Sequence, residues 1–108
     1  MEIRRYLTES GKDAVGEWLA SLKDVRARAK IAARIARLEA GNFGDCKPVG
    51  ESVWELRVDW GPGYRVYYAI IGASVVLLLC AGDKRRQAAD IRTATARLKD
   101  YQRRTNES

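Results

Sequence analysis

Hydrophobic positions along this chain change period twice. Val15, Trp18, Leu19 and Leu22 recur at i, i+3, i+4 and i+7, the spacing of one helical face. Ile31, Ile35 and Leu38, padded by alanines, form a second helical stripe between Asp24 and Ala40. Asp24 is suited to cap its start and Gly41 to stop it. The short connection between the two predicts an antiparallel helical hairpin. From Trp54 the period is two. Trp54, Leu56, Val58 and Trp60 alternate with Glu55, Arg57 and Asp59, the pattern of a half-buried strand. Gly61-Pro62-Gly63 is a turn, and Tyr64 to Ile71 the next strand. Gly72-Ala73 suits a two-residue hairpin turn. Val75 to Ala81 is apolar on both faces, as expected of a central strand covered on both sides. Ala88, Ile91, Ala94 or Thr95, Leu98 and Tyr101 mark a closing helix, with Arg103 to Ser108 expected to fray. At the start of the chain, Glu2 to Leu7 reads as a short strand. A turn over Thr8 to Gly11 follows it, with Ser10 as N-cap and Asp13 favourable in the first helical turn. The order β-α-α-β-β-β-α describes an α+β domain, its antiparallel sheet packed against an N-terminal helical hairpin and a C-terminal helix.

Length and composition narrow the class. The 108 residues suit one domain spanning 1–108, and 46% hydrophobic with 31% charged residues is the balance of a folded chain. The charged opening Met1-Glu2-Ile3-Arg4-Arg5 does not read as a secretory leader, and the run from Val75 to Ala81 is too short to span a bilayer. Two cysteines, Cys46 in an expected loop and Cys80 in an apolar strand, fit a reducing compartment. The expectation is a cytoplasmic protein with no membrane partner. The chain has no histidine, which excludes Ser-His-Asp and Cys-His nucleophiles and histidine acid–base pairs. Lys and Arg number 20 against 14 Asp and Glu, a formal charge of +6, and 14 of the cations are arginine. The arginine fork matches phosphate, so a polyanionic partner is implied.

Strand register places the charges. With Gly61-Pro62-Gly63 as the loop, Trp60 faces Tyr64, Val58 faces Val66, Leu56 faces Tyr68 and Trp54 faces Ile70, which buries one continuous face. The other face then carries Asp59 opposite Arg65 and Arg57 opposite Tyr67. The next hairpin sets Cys80 beside Arg65 and Leu78 beside Tyr67. Arg57, Arg65, Tyr67 and the run Lys84-Arg85-Arg86 thus converge near one sheet end, with Lys47 entering at the rim. This is either a phosphate-binding concavity or a solvated polar sheet face. Tyr64 and Tyr67 flank it as candidate stacking surfaces for a base. Asp83 is better explained as a helix cap than as a catalytic group. In the second helix Arg26, Lys30, Arg34 and Arg37 run down one side, with Arg28 nearby, and Glu39 is the one acid between Val25 and Gly41. A solvated helix face usually mixes signs, so this stripe suggests contact with a phosphate backbone.

Three motifs in order carry a resemblance: Trp54-Glu55-Leu56-Arg57, then Gly61-Pro62-Gly63-Tyr64-Arg65-Val66-Tyr67-Tyr68, then Leu77-Leu78-Leu79-Cys80-Ala81-Gly82-Asp83-Lys84. Over nearly its whole length the chain resembles the RelE/ParE superfamily of bacterial toxin–antitoxin toxins, in particular the HigB-like branch of addiction module killer proteins. The resemblance implies a RelE-like fold and a ribosome-dependent mRNA endoribonuclease that uses the substrate 2′-OH as nucleophile, with no metal and no cofactor. It implies catalytic roles for Arg57, Arg65, Lys84 and Arg85, and Lys47 falls where the family often places a basic residue; placement on the sheet and the second helix adds Tyr64, Tyr67, Arg86, Arg26, Lys30, Arg34 and Arg37 as candidate RNA-binding residues. The implied partners are mRNA, ribosomal RNA and a cognate antitoxin, usually a small helix-turn-helix protein. Asp83 stands as an insertion between Gly82 and Lys84 relative to the RelE pattern, and the histidines of some HigB-type members are missing. Such cleavage needs a proton acceptor, stabilisation of the added phosphorane charge and a donor for the 5′ oxygen. Lys84 is the candidate base, and Arg57 and Arg65 are candidate phosphate ligands. Two other readings remain: inhibition of DNA gyrase, as in the ParE branch, and a non-catalytic nucleic-acid-binding module.

Overall fold

The computed structural model describes residues 1–106. Its elements are β1 (Glu2–Arg5), α1 (Ala14–Ser21), α2 (Val25–Glu39), β2 (Cys46–Gly50), β3 (Val53–Val58), β4 (Tyr64–Ile71), β5 (Val75–Asp83), a 3-10 turn (Lys84–Arg86) and α3 (Gln87–Asn106). The strands form one five-stranded sheet in the order β1-β5-β4-β3-β2. Strands β2 to β5 are an antiparallel meander, and β1 lies parallel to β5, pairing Glu2 with Val75 through Arg5 with Leu78. The sheet is therefore mixed rather than antiparallel throughout. No helix among the described residues is long and apolar enough to cross a membrane.

Two apolar clusters cover the two sheet faces. On one face Leu56, Val58, Val66, Tyr68, Val76 and Leu78 meet Val15 of α1 and Ala27, Ile31 and Leu38 of α2. On the other, Val53, Tyr67, Ala69, Leu77, Leu79 and Cys80 meet Ala94 and Leu98 of α3. Burying each such large aliphatic side chain is worth about 1.5–3 kcal/mol. Strand β5 is second from the sheet edge rather than central, but it lies between β1 and β4 with both faces covered, which explains its unbroken apolar run.

Helix ends follow local chemistry. Asp24 caps α2, its carboxylate accepting from the Arg26 and Ala27 amides at 2.9 and 3.2 Å. The helix closes with Gly41 at φ +83°, where the Asn42 amide donates to the Arg37 carbonyl and the Gly41 amide to the Leu38 carbonyl. In α1 the cap is Asp13, not Ser10: Asp13 accepts from the Gly16 amide at 2.9 Å. Ser10 instead shares a hydrogen bond with Thr8 in the preceding turn. The segment 103–106, expected to fray, is helical. Arg104 donates to the Leu7 carbonyl and pairs with Asp100, which ties the last turn to the chain beyond β1. Residues 107 and 108 lie outside the described residues.

Three features of the sheet depart from the sequence reading. Strand β2 is additional, and Cys46 is in it. The β3–β4 register is shifted by two: Val58 pairs with Tyr64, Leu56 with Val66 and Trp54 with Tyr68. The connecting loop spans Asp59 to Gly63 rather than Gly61 to Gly63, with Gly61 and Gly63 at positive φ. A shift of two preserves face parity, so the buried set is unchanged, but Arg57 now stands opposite Arg65, and Glu55 opposite Tyr67. The β4–β5 turn has three residues, since Ile71 pairs with Val75, and a bulge leaves Leu79 as an extra residue between the pairs Tyr68–Leu78 and Tyr67–Cys80. Arg65 consequently faces Gly82, and Cys80 stands beside Tyr67 rather than Arg65.

Candidate active site and nucleic-acid interface

A cleft of about 340 Å³ opens at the end of β3 and β4, on the face that carries α3. It is lined by Arg57 from β3, Arg65 from β4, Lys84 from the 3-10 turn, the glycine-rich loop Gly61-Pro62-Gly63, and two carboxylates, Asp45 and Asp59. The sequence folds this way because Gly63 closes a turn on Trp60 and then accepts from the Lys84 amide at 2.8 Å, docking the β5 exit against the β3–β4 loop. Asp83 holds the same junction, accepting from the Arg85 amide at 3.0 Å as the cap of the 3-10 turn. Hydrogen bonding from Arg85 keeps the Asp83 carboxyl below the usual aspartate range.

Two of the cleft arginines rest on a buried carboxylate. Glu55 is fully buried and accepts from Arg57 Nε at 3.0 Å through Oε1. Arg65 Nε lies 3.7 Å from the same oxygen. Gln87, the first residue of α3, donates to Oε2 at 2.7 Å. Burial pushes the Glu55 carboxyl up, but hydrogen bonds from Arg57 and Gln87 and the Arg65 charge outweigh it, and the group titrates below the ordinary glutamate range. Arg57 keeps about a third of its side chain exposed (35%), whereas Arg65 keeps 12% and donates Nη1 to the Tyr64 carbonyl.

The sequence-predicted residues separate into groups. Arg57, Arg65 and Lys84 share the cleft. Arg85 and Arg86 do not: Arg85 points to solvent and pairs with Asp83, and Arg86 lies 3.8 Å from Asp90 at a second cavity bounded by Cys80, Gly82 and Arg97. Lys47 is exposed on β2 opposite Glu55, one strand beyond the cleft. Tyr64 and Tyr67 are corrections. Tyr64 is buried and packs edge-on against Trp18 at 5.9 Å, and Tyr67 is wholly buried under α3, so neither offers a face to a base. Glu55 and Gln87 were absent from the predicted site. The signal for Glu55 was a carboxylate two residues before Arg57, on the same strand face.

On α2, Arg26, Lys30 and Arg37 are exposed on one side, and the Lys30 ammonium sits 4.6 Å over the Trp60 ring, beside the cleft loop. Arg34 is different. Its guanidinium turns inward and donates to the Arg57 carbonyl at 2.6 Å and to the Phe43 and Asp45 carbonyls at 3.3 and 3.5 Å. A glycine at 44 makes room for it, since a Cβ there would lie 2.9 Å from Arg34 Nη2. Arg34 therefore fastens α2 to the β3 end. Replacing it with alanine is expected to cost about 2–3 kcal/mol, because charged hydrogen bonds are lost and part-buried carbonyls are left open. Arg26→Ala and Arg37→Ala should leave thermal stability unchanged, since both side chains are exposed. Melting curves of the three variants check this division.

A family model for phage-derived Gp49-like proteins (DUF891) matches residues 17–99. An uncharacterised protein of Haemophilus influenzae (strain ATCC 51907 / DSM 11121 / KW20 / Rd) is 54% identical over 77 residues, which cover 71% of this chain and 78% of that protein. No solved structure matches the chain.

Proposed function

We propose that this chain, which belongs to the phage-derived Gp49-like family, is a toxin that cuts mRNA at the cleft of Arg57, Arg65 and Lys84. The family is associated with toxin–antitoxin toxins of endoribonuclease-like character, and the pair implies an antitoxin partner. The observation that carries the reading is the convergence of these three cations on one open cleft, with Lys84 outside every ion pair found among the described residues. The resemblance to RelE- and HigB-like toxins supports the same chemistry. In this mechanism Arg57 and Arg65 hold the scissile phosphate by charge-assisted contacts. Lys84 takes the proton of the 2′-OH as that oxygen attacks phosphorus; the bond from phosphorus to the 5′ oxygen breaks, and that oxygen leaves as a hydroxyl with a proton from solvent water. The added charge of the phosphorane falls on the two guanidinium groups. The exposed cations of α2 and Lys30 beside Trp60 extend the basic surface away from the cleft, where a ribosomal RNA backbone would run.

Induced expression followed by mapping of mRNA ends tests the proposal. The expected result is translation arrest with cuts at the ribosomal A site and new 5′-hydroxyl ends, opposite 2′,3′-cyclic phosphate ends. Growth arrest with intact mRNA overturns the nuclease reading. Loss of supercoiling by purified gyrase would then identify a ParE-like inhibitor.

A further inference from the structure

The register of β3 and β4 places Arg57 directly across from Arg65. Like charges opposite each other in a sheet repel and destabilise the pair. Both side chains are at least partly withdrawn from water, so the repulsion is poorly screened. Something must offset it, and Glu55 is the carboxylate in contact with both. Its manner of contact matters more than its charge. One oxygen, Oε1, accepts a hydrogen bond from Arg57 Nε at 3.0 Å and lies 3.7 Å from Arg65 Nε, an ion-pair contact in which that buried nitrogen makes no hydrogen bond. In Arg57 this leaves both terminal nitrogens out of the contact with the carboxylate. In Arg65 it leaves Nη2, since Nη1 is held by the Tyr64 carbonyl. The second oxygen is fixed from behind by Gln87, so the carboxylate cannot turn to chelate either arginine end-on.

We infer that Glu55 is a positioning residue: it holds Arg57 by a hydrogen bond at Nε and Arg65 by its charge, so that the outer nitrogens of the two present one joint seat for a single phosphate group. Gln87 locks that grip and couples it to the first turn of α3. Glu55 itself touches no substrate. The inference rests on the phosphate-cleaving reading of the cleft, and the two parts of its test fail independently.

The first part needs no RNA. Side-chain Nε–H resonances of Arg57 and Arg65 are followed by NMR while inorganic phosphate is added. In the wild-type protein both are expected to be resolved from the exposed arginines and to move together. In Glu55→Gln they should fall to the averaged position and lose the joint response. Resolved signals with an unchanged phosphate response in Glu55→Gln overturn the inference. The second part uses programmed ribosomes. Glu55→Gln is expected to lower kcat about 10²-fold, the cost of misplacing a reacting partner by about 1 Å, while KM stays level or falls because a negative charge has gone. A fall in kcat accompanied by a matching rise in KM and loss of fold would mean a structural role only and would sink the idea. Should Glu55→Gln fail to fold, Gln87→Ala keeps the carboxylate and should lower kcat about tenfold at unchanged melting temperature; no change there overturns the coupling to α3. A wild-type protein that cuts no RNA removes the nuclease reading, and the phosphate titration then decides the positioning role alone.

Discussion

Replacing Lys84 by alanine should lower the rate of RNA cleavage about 10²–10³-fold and leave the melting temperature unchanged. The two halves of this expectation have separate grounds. Lys84 lines the cleft with Arg57 and Arg65, beside the place where the proposed reaction would develop charge. Its side chain is exposed and joins no ion pair among the described residues. What the fold takes from this position is its backbone amide, which donates to the Gly63 carbonyl, and alanine keeps that bond. Lys84→Arg refines the test. It keeps the charge but removes a group able to accept a proton, so activity should stay near the alanine level if Lys84 is the base. A Lys84→Ala protein that arrests translation and cuts mRNA at the wild-type rate would exclude the residue from the chemistry. Rates on programmed ribosomes, with melting curves alongside, decide it.

Gly82→Ala should destabilise the protein by about 2 kcal/mol or more, a fall of about 10 °C in melting temperature. A Cβ at position 82 would lie 2.1 Å from Asp90 Oδ2 and 3.2 Å from its Cγ. Asp90 is 5% exposed, so the carboxylate has little room to retreat. That oxygen is also without a hydrogen-bond partner. Burial pushes the Asp90 carboxyl above the usual aspartate range, with Arg86 countering in part. A raised folded-state value favours the protonated group in the folded chain. The contribution of Asp90 to stability is thus full below the unfolded value of 3.8 and is lost as pH rises through the folded value. At neutral pH the buried charge is a cost, so Asp90→Ala should be close to neutral by itself. In the Gly82→Ala background it should recover most of the lost stability. A double-mutant cycle measures this coupling, and additive effects of the two substitutions would show that they do not share one space.

Much of this arrangement was legible in the sequence because side-chain parity survives errors in counting. The alternation from Trp54 to Val58 and from Tyr64 to Tyr68 assigns the faces correctly even with a loop of three residues in place of the five observed. An error of two leaves every residue on its own side. It does change the partners: the three-residue loop pairs Arg57 with Tyr67, whereas the observed register pairs it with Arg65 and brings the two charges together. Strand β2 was invisible for another reason. It is an edge strand with Lys47 and Pro48 exposed and Gly50 at its end, so no apolar rhythm marks it. Tyr67 looked like a surface residue because it shares its face with Arg57 and Arg65. Only the position of α3, which covers that face except at the sheet end, makes it core. Arg34 sat in a stripe of cations that helical periodicity cannot subdivide, and its inward turn depends on the bend at Phe43 to Asp45. Glu55 illustrates the same limit. Its importance comes from being enclosed by residues from β4 and α3, and enclosure is a property of three segments that no single one displays.

The extra residue at Leu79 gives β5 a margin for losing length. Leu79 and Cys80 both belong to the cluster under α3, and deleting one leucine from the run Leu77-Leu78-Leu79 would cancel the bulge while leaving Leu78 opposite Tyr68 and Cys80 opposite Tyr67. Strict alternation would then continue through Ala81 and Gly82, so Gly82 would stay opposite Arg65 and the 3-10 turn would keep its docking on Gly63. The cost would fall on the α3 side, where one leucine contact and the local twist of the bulge are lost. A residue gained in the same run has no such slack: the strand beyond it must carry a second unpaired residue or turn over, which would reverse the side of Gly82 and the exit toward Lys84. Strand β5 thus tolerates a shorter count better than a longer one, and a single-codon insertion is the change that reaches the cleft from a distance.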